Sequence, residues 1–118
     1  AAWTVTLVEQ ILARDPQADV VVLGDLNSFY DSPPLEVLRQ AGLRHAYELV
    51  EPDHPYSYIF QGVSETLDHI LLTPTLYDRL VRVAALHINA DYPPPIPGDP
   101  SAQGMSDHDP VVAVLSFK

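Results

Sequence analysis

Apolar residues recur at helical spacing through Trp3, Leu7, Val8, Ile11 and Leu12, and Asp15-Pro16 supplies a stop. The pattern predicts an amphipathic helix whose apolar face covers a core. It changes at Val20-Val21-Val22-Leu23, a short continuous apolar run that predicts a strand buried on both faces and ending at Gly24. Ser32-Pro33 reads as an N-cap and first helical position, and Leu35, Leu38 and Ala41 continue to a glycine stop at Gly42. That is a second helix of about two to three turns. Beyond Ala46, four stretches carry β-branched and aromatic residues between Pro, Gly and Asp punctuation: Tyr56 to Phe60, Leu67 to Leu72, Val81 to Ile88 and Val111 to Phe117. Each predicts a strand. Between Asn89 and Met105 stand five prolines and two glycines, which predict a long loop running into Ser106. Helices and strands interleave, so the fold class is α/β (α+β), with no internal repeat and no second domain boundary within residues 1–118.

Composition narrows the picture. At 118 residues, 47% of them hydrophobic and 19% charged, the chain has the material for the modest core of one small domain and is neither disordered nor fibrous. It has no continuous apolar run of about eighteen residues, and Ala1 to Val8 lacks the basic start and cleavage region of a signal peptide, so no membrane partner is expected. The absence of cysteine excludes disulfides, thiolate metal sites and cysteine nucleophiles, and leaves the compartment open. A net charge of −10 argues against a simple electrostatic binder of nucleic acid. A polyanionic substrate would need cations, or another segment, to approach.

Three short segments carry chemistry. In Gly24-Asp25-Leu26-Asn27 a carboxylate and an amide stand two residues apart at the end of a predicted strand, where side-chain alternation aims both at one ligand. The same residues are good turn formers, and both readings stand at this level. In Leu67-Asp68-His69-Ile70-Leu71-Leu72 a carboxylate interrupts an apolar strand. Buried without a partner it would cost several kcal/mol, so Asp68 needs a cation or a histidine unless it sits at an exposed strand start. Ser106-Asp107-His108-Asp109-Pro110 sets three titratable groups side by side, suited to hard-cation ligation and imidazole proton transfer, or to a solvated turn.

Other polar residues have weaker claims. Alternation sends His69 to the face opposite Asp68, which predicts a structural or surface position. Tyr56 and Tyr58 either line a cleft and stack on bases or pack as ordinary strand residues. Asp109 is either a hydrogen-bonding support beside His108 or a turn residue before Pro110. His45 and His54 fall in no pattern.

Together, in this order and with these predicted elements between them, the three segments resemble the endonuclease/exonuclease/phosphatase superfamily. Its prototype is the pancreatic deoxyribonuclease fold, and its signatures are Gly-Asp-x-Asn, an Asp-bearing strand and Ser-Asp-His-x-Pro. Tyr56-Ser57-Tyr58, Leu67-Asp68-His69, His87-Ile88-Asn89-Ala90-Asp91 and Ser106 to Val111 look like the bacterial extracellular nuclease branch. That likeness is the ground for expecting an extracellular or periplasmic location, and His87, Asn89 and Asp91 have no other claim to a role. The resemblance implies that residues 1–118 form a single partial domain, the C-terminal half of a four-layer α-β-β-α sandwich, with one mixed or mostly antiparallel sheet and helices on one face. In the family the other half supplies an early asparagine and the metal-binding glutamate. No segment before Asp25 offers either, so the chain is expected to be a fragment.

The resemblance also implies roles. Asp107 would be a ligand of Mg²⁺ or Mn²⁺, with Ca²⁺ as a structural alternative. His108 would contact the scissile phosphate, Asp68 would hold the imidazole, Asp25 would orient or deprotonate the attacking water, and Asn27 would donate to a phosphoryl oxygen. The expected activity of the parent protein is nuclease action, with DNA as the expected substrate. Two other readings stand beside it: a phosphatase or phospholipase of the same superfamily, acting on inositol phosphates or sphingomyelin, and a non-catalytic fragment or interaction module. In the complete sandwich the apolar strands would bury one face against the absent sheet, so the resemblance also implies a sheet face left uncovered, and a homodimer through it.

Overall fold

A computed structural model describes residues 1–118. Its helices are α1 (Ala2–Arg14), α2 (Pro33–Gln40) and the short α3 (Pro74–Tyr77), with a 3₁₀ turn over Ala46–Val50. Its strands are β1 (Val21–Asp25), β2 (Arg44–His45), β3 (Tyr58–Phe60), β4 (Val63–Glu65), β5 (Asp68–Leu72), β6 (Leu80–Ala85) and β7 (Val111–Leu115). Every strand pairing is antiparallel, and the pairings form three ladders rather than one continuous sheet: β1-β5-β2, β3-β4 and β6-β7. The α/β class and both longer helices agree with the sequence pattern. So do the four strands expected beyond Ala46 and the long loop ahead of Ser106.

The β1-β5 register places Asp25 opposite Asp68, Leu23 opposite Ile70 and Val22 opposite Leu71. Directly opposed residues share a face. On the face of Val22 and Leu71, both longer helices contribute to one core cluster: Val8 of α1, with Val5 and Leu12, meets Leu35 and Leu38 of α2, Leu43 and Leu71. Fully burying a side chain such as Leu71 contributes roughly 2 kcal/mol. On the other face, Ile70 and Leu72 join Tyr30, Ala46, Tyr47, Leu76, Leu80 and Val83, with Val111, Ala113 and Leu115 packed alongside. The β6-β7 ladder thus stacks over one end of the three-stranded sheet.

Several expectations are corrected. Strand β1 is covered on one face only: Val22 is half-buried, whereas Val21 and Leu23 are exposed, because nothing in these residues packs over that part of the sheet. The α1 stripe divides likewise, with Val5, Val8 and Leu12 turned inward and Trp3 left 76% exposed beside the exposed Leu7. Ser32 occupies the N-cap of α2, but its hydroxyl donates back to the Phe29 carbonyl at 2.6 Å and makes no cap bond. The hairpin β3-β4 was hidden in the sequence by its turn, Gln61-Gly62, where both residues take positive φ (50° and 79°) without the usual asparagine.

Candidate active site

The β1-β5 register brings the first two signatures together at one end of the sheet, and the loop before β7 brings the third. His108 Nδ1 lies 2.6 Å from Asp68 Oδ2, and His108 Nε2 faces Asp25 Oδ2 at 3.8 Å. A carboxylate only accepts, so Nδ1 carries the proton shared with Asp68, and Nε2 is the atom presented to the cleft. The separation of Nε2 from Asp25 is too long for a hydrogen bond. One ligand atom from each of Asp25, Asp68 and His108 lies within 4.8 Å of the others, a spacing that suits a cation or a small oxyanion between them.

Asn27 does not follow the strand alternation expected for it. Strand β1 ends at Asp25, and Asn27 has φ 47° in a turn closed by its own N–H donating to Asp25 Oδ1 at 2.9 Å. The turn reading of Gly24-Asp25-Leu26-Asn27 is realised: the turn fixes the Asp25 carboxylate, and Asn27 is exposed. Asp107 is exposed and lies outside the group formed by Asp25, Asp68 and His108. Its charge still reaches the imidazole. Burial by itself lowers the His108 pKa, but the hydrogen bond and charge of Asp68, then the charges of Asp25 and Asp107, outweigh it, and the net shift is upward.

Residues outside the three signatures hold these groups in place. Ser57 is completely buried: its hydroxyl accepts from the backbone N–H of Leu67 and Asp68, and its carbonyl accepts from Asp109 N–H at 2.8 Å. It ties the strand bearing Asp68 to the segment bearing His108. Tyr47 adds a hydroxyl bond to the Asp68 carbonyl at 3.0 Å. Tyr58 pairs with His108 in an isolated β-bridge, and its ring lies 4.7 Å from the imidazole. Tyr56, just ahead of that strand, is stacked on His87. The signal in the sequence was the tyrosine pair; the serine between them carried none of its own.

His69 and His45 are buried together, His69 on the face opposite Asp68 as alternation predicts. The backbone N–H of Tyr47 donates to His45 Nδ1, so His45 carries its proton on Nε2 and donates it to His69 Nδ1 at 2.9 Å. His69 Nε2–H then donates to the Ser28 carbonyl at 2.6 Å. Only neutral imidazoles complete this chain. It runs from β2 to the turn that carries Asn27.

Comparison with known proteins bears on this arrangement. The sequence profile described as Endonuclease/Exonuclease/phosphatase family matches residues 1–108. No curated protein sequence matches the chain. Among solved structures, the 3′ phosphatase NExo from Neisseria bound to a product DNA hairpin superposes with a TM-score of 0.72 at 21% identity, over 98% of this chain and 51% of that one. The 3′-5′ exonuclease NExo from Neisseria meningitidis gives 0.72 at 22%, over 98% and 52%. At these identities the likeness is one of fold. The chain spans about half the length of these structures.

Proposed function

The chain belongs to the endonuclease/exonuclease/phosphatase family, and from that premise we propose that it carries part of the active site of a divalent-metal-dependent nuclease that hydrolyses phosphodiesters in DNA. The observation that supports this most is the meeting of Asp68, His108 and Asp25 at one sheet end, with Nε2 and a free carboxylate oxygen facing each other at 3.8 Å. Asp68 holds the imidazole in one orientation and keeps its Nδ1 protonated, so that Nε2–H can face a phosphoryl oxygen. Asp25 accepts the proton of an attacking water or orients it, and the Asn27 amide donates to a phosphoryl oxygen as negative charge grows there.

The donor set fits a hard cation. Its members are carboxylates and one imidazole, with no sulfur. With Asp68 engaged by His108 and Asp25 given to the water, we assign Mg²⁺ or Mn²⁺ to Asp107, which is exposed next to His108 though outside that group. When bound, that ion supplies charge neutralisation and polarises the phosphate, which a chain of net charge −10 needs in order to receive a polyanion.

A second reading, phosphatase action on a 3′-phosphorylated DNA end, is favoured by the likeness in fold to the Neisseria 3′ phosphatase bound to product DNA. Incubation with supercoiled plasmid and with a 3′-phosphorylated oligonucleotide separates the two. Nicking that requires Mg²⁺ and is lost in Asp107→Ala and His108→Ala supports the nuclease, whereas release of inorganic phosphate alone supports the phosphatase. If neither reaction occurs, the chain by itself is a fragment without turnover. The partner we assign to its uncovered apolar sheet face is a second copy of the chain.

A further inference from the structure

The segment that delivers His108 is gripped from behind as well as from in front. His108 turns toward Asp68. Asp109 turns to the opposite face, its side chain 0% exposed, where Oδ2 accepts Nδ1–H of His87 at 2.7 Å. Its other oxygen accepts the backbone N–H of Asn89 at 3.0 Å and of Ala90 at 2.9 Å. Asn89 then returns to the site, Nδ2 donating to the His108 carbonyl at 2.9 Å. Tyr56 backs the arrangement: its ring lies 4.1 Å from the His87 imidazole at 16°, and its hydroxyl donates to Asp91.

This is a second Asp–His pair with the roles reversed, since the segment supplies the imidazole on one face and the carboxylate on the other. A slip of one residue would exchange the two faces and leave a carboxylate buried where no donor waits. The Asn89 and Ala90 amides lie 20 and 19 residues away in sequence, so the Asp109 carboxylate fastens the start of the long loop, and with it His87, to this segment.

We infer that His87 and Asp109 are positioning residues for His108, fixing its ring against Asp68 through the shared peptide segment and the Asn89 amide. Neither touches the reacting atoms. The inference rests on the reading of His108 as the group that meets the phosphate.

At 2.6 and 2.7 Å both Asp–His bonds are short, and each is expected to give its Nδ1 proton a separate downfield signal in the proton NMR spectrum of this chain. The His108 signal is assigned by its absence from His108→Ala. In His87→Ala that signal is expected to move upfield or broaden away, and in His87→Asn, whose amide donates from about the place of Nδ1, it is expected to return. An unmoved His108 signal in His87→Ala overturns the inference, as does failure of His87→Asn to restore it in a protein that melts like the parent. Should the alanine variant not fold, Asp109→Asn decides on the same signal: it keeps the shape and the acceptor for Asn89 and Ala90 while weakening the bond to His87. An upfield move supports positioning, and an unmoved signal overturns it. Hydrolysis of a small chromogenic phosphodiester with Mg²⁺ is followed in parallel, with kcat expected to fall about 10- to 100-fold at unchanged KM in His87→Ala. An inactive parent chain sinks the catalytic reading alone, because the NMR comparison needs no turnover.

Discussion

The Ser57 hydroxyl accepts from two consecutive backbone amides, those of Leu67 and Asp68, at 3.2 and 3.1 Å. One oxygen thereby satisfies the entry to β5 and sets the height at which Asp68 meets His108. Ser57→Ala leaves both N–H groups facing an apolar methyl, and each unpaired buried donor costs about 1–3 kcal/mol. Urea denaturation should show a loss of about 2–4 kcal/mol, together with reduced hydrolysis, since Asp68 loses its anchor. A loss near zero would mean that water reaches these amides and that the serine is a spacer after all. The chemistry-bearing residues were legible because carboxylates and histidines stand out in apolar or turn-forming surroundings. Ser57 was not, because its value lies in partners ten and eleven residues away, which only the β3-β4 hairpin brings back.

Legibility was of the same kind for whole elements. Strands β5 and β7 and helix α2 announced themselves through periodicity and punctuation, whereas β2, two residues long, carries no periodic signal and exists only because β5 offers it an edge. That short element supplies His45, which sequence placed in no pattern, and with it a pH dependence. Burial first, then the charges of His69, Arg39 and His54, lower the His45 pKa from 6.5 to about 2. A histidine held neutral when folded contributes stability that is fully present above its unfolded pKa, and loses it as pH falls through the interval from 6.5 toward 2. Protonation would also remove the acceptor for Tyr47 N–H. His45 alone should therefore cost about 1.4 kcal/mol of stability for each pH unit below its unfolded value. Urea midpoints at a series of pH values check this against His45→Gln, which should be less stable at neutral pH and show a shallower acid slope. Parallel slopes in the two proteins would refute it.

The molecule as a whole does not close on itself. Its radius of gyration is 15.9 Å, against about 13.5 Å for a compact domain of this length, and its core is divided into two small clusters on either side of β5. What those clusters leave open is apolar: Leu23 is 67% exposed on the inner sheet face, and Val112 and Val114 lie open beside Ala84 and Leu86 on the outer face of β6-β7. The only charge in that outer groove is Arg82, in a chain that carries sixteen carboxylates. Association through these surfaces would gain hydrophobic burial, and a net charge of −10 on each copy opposes it over roughly a Debye length, about 10 Å at 0.1 M salt. The two terms respond oppositely to ionic strength, because salt screens the repulsion and leaves the burial intact. Light scattering should therefore show the molar mass rising toward that of a dimer as salt is raised at fixed protein concentration. Leu23→Lys or Val112→Glu should weaken that association by about tenfold or more, the equivalent of about 1.4 kcal/mol. A chain that stays monomeric at high salt and high concentration would show that these open faces are too small or too divided to form a stable interface, which needs about 600 Å² from each copy.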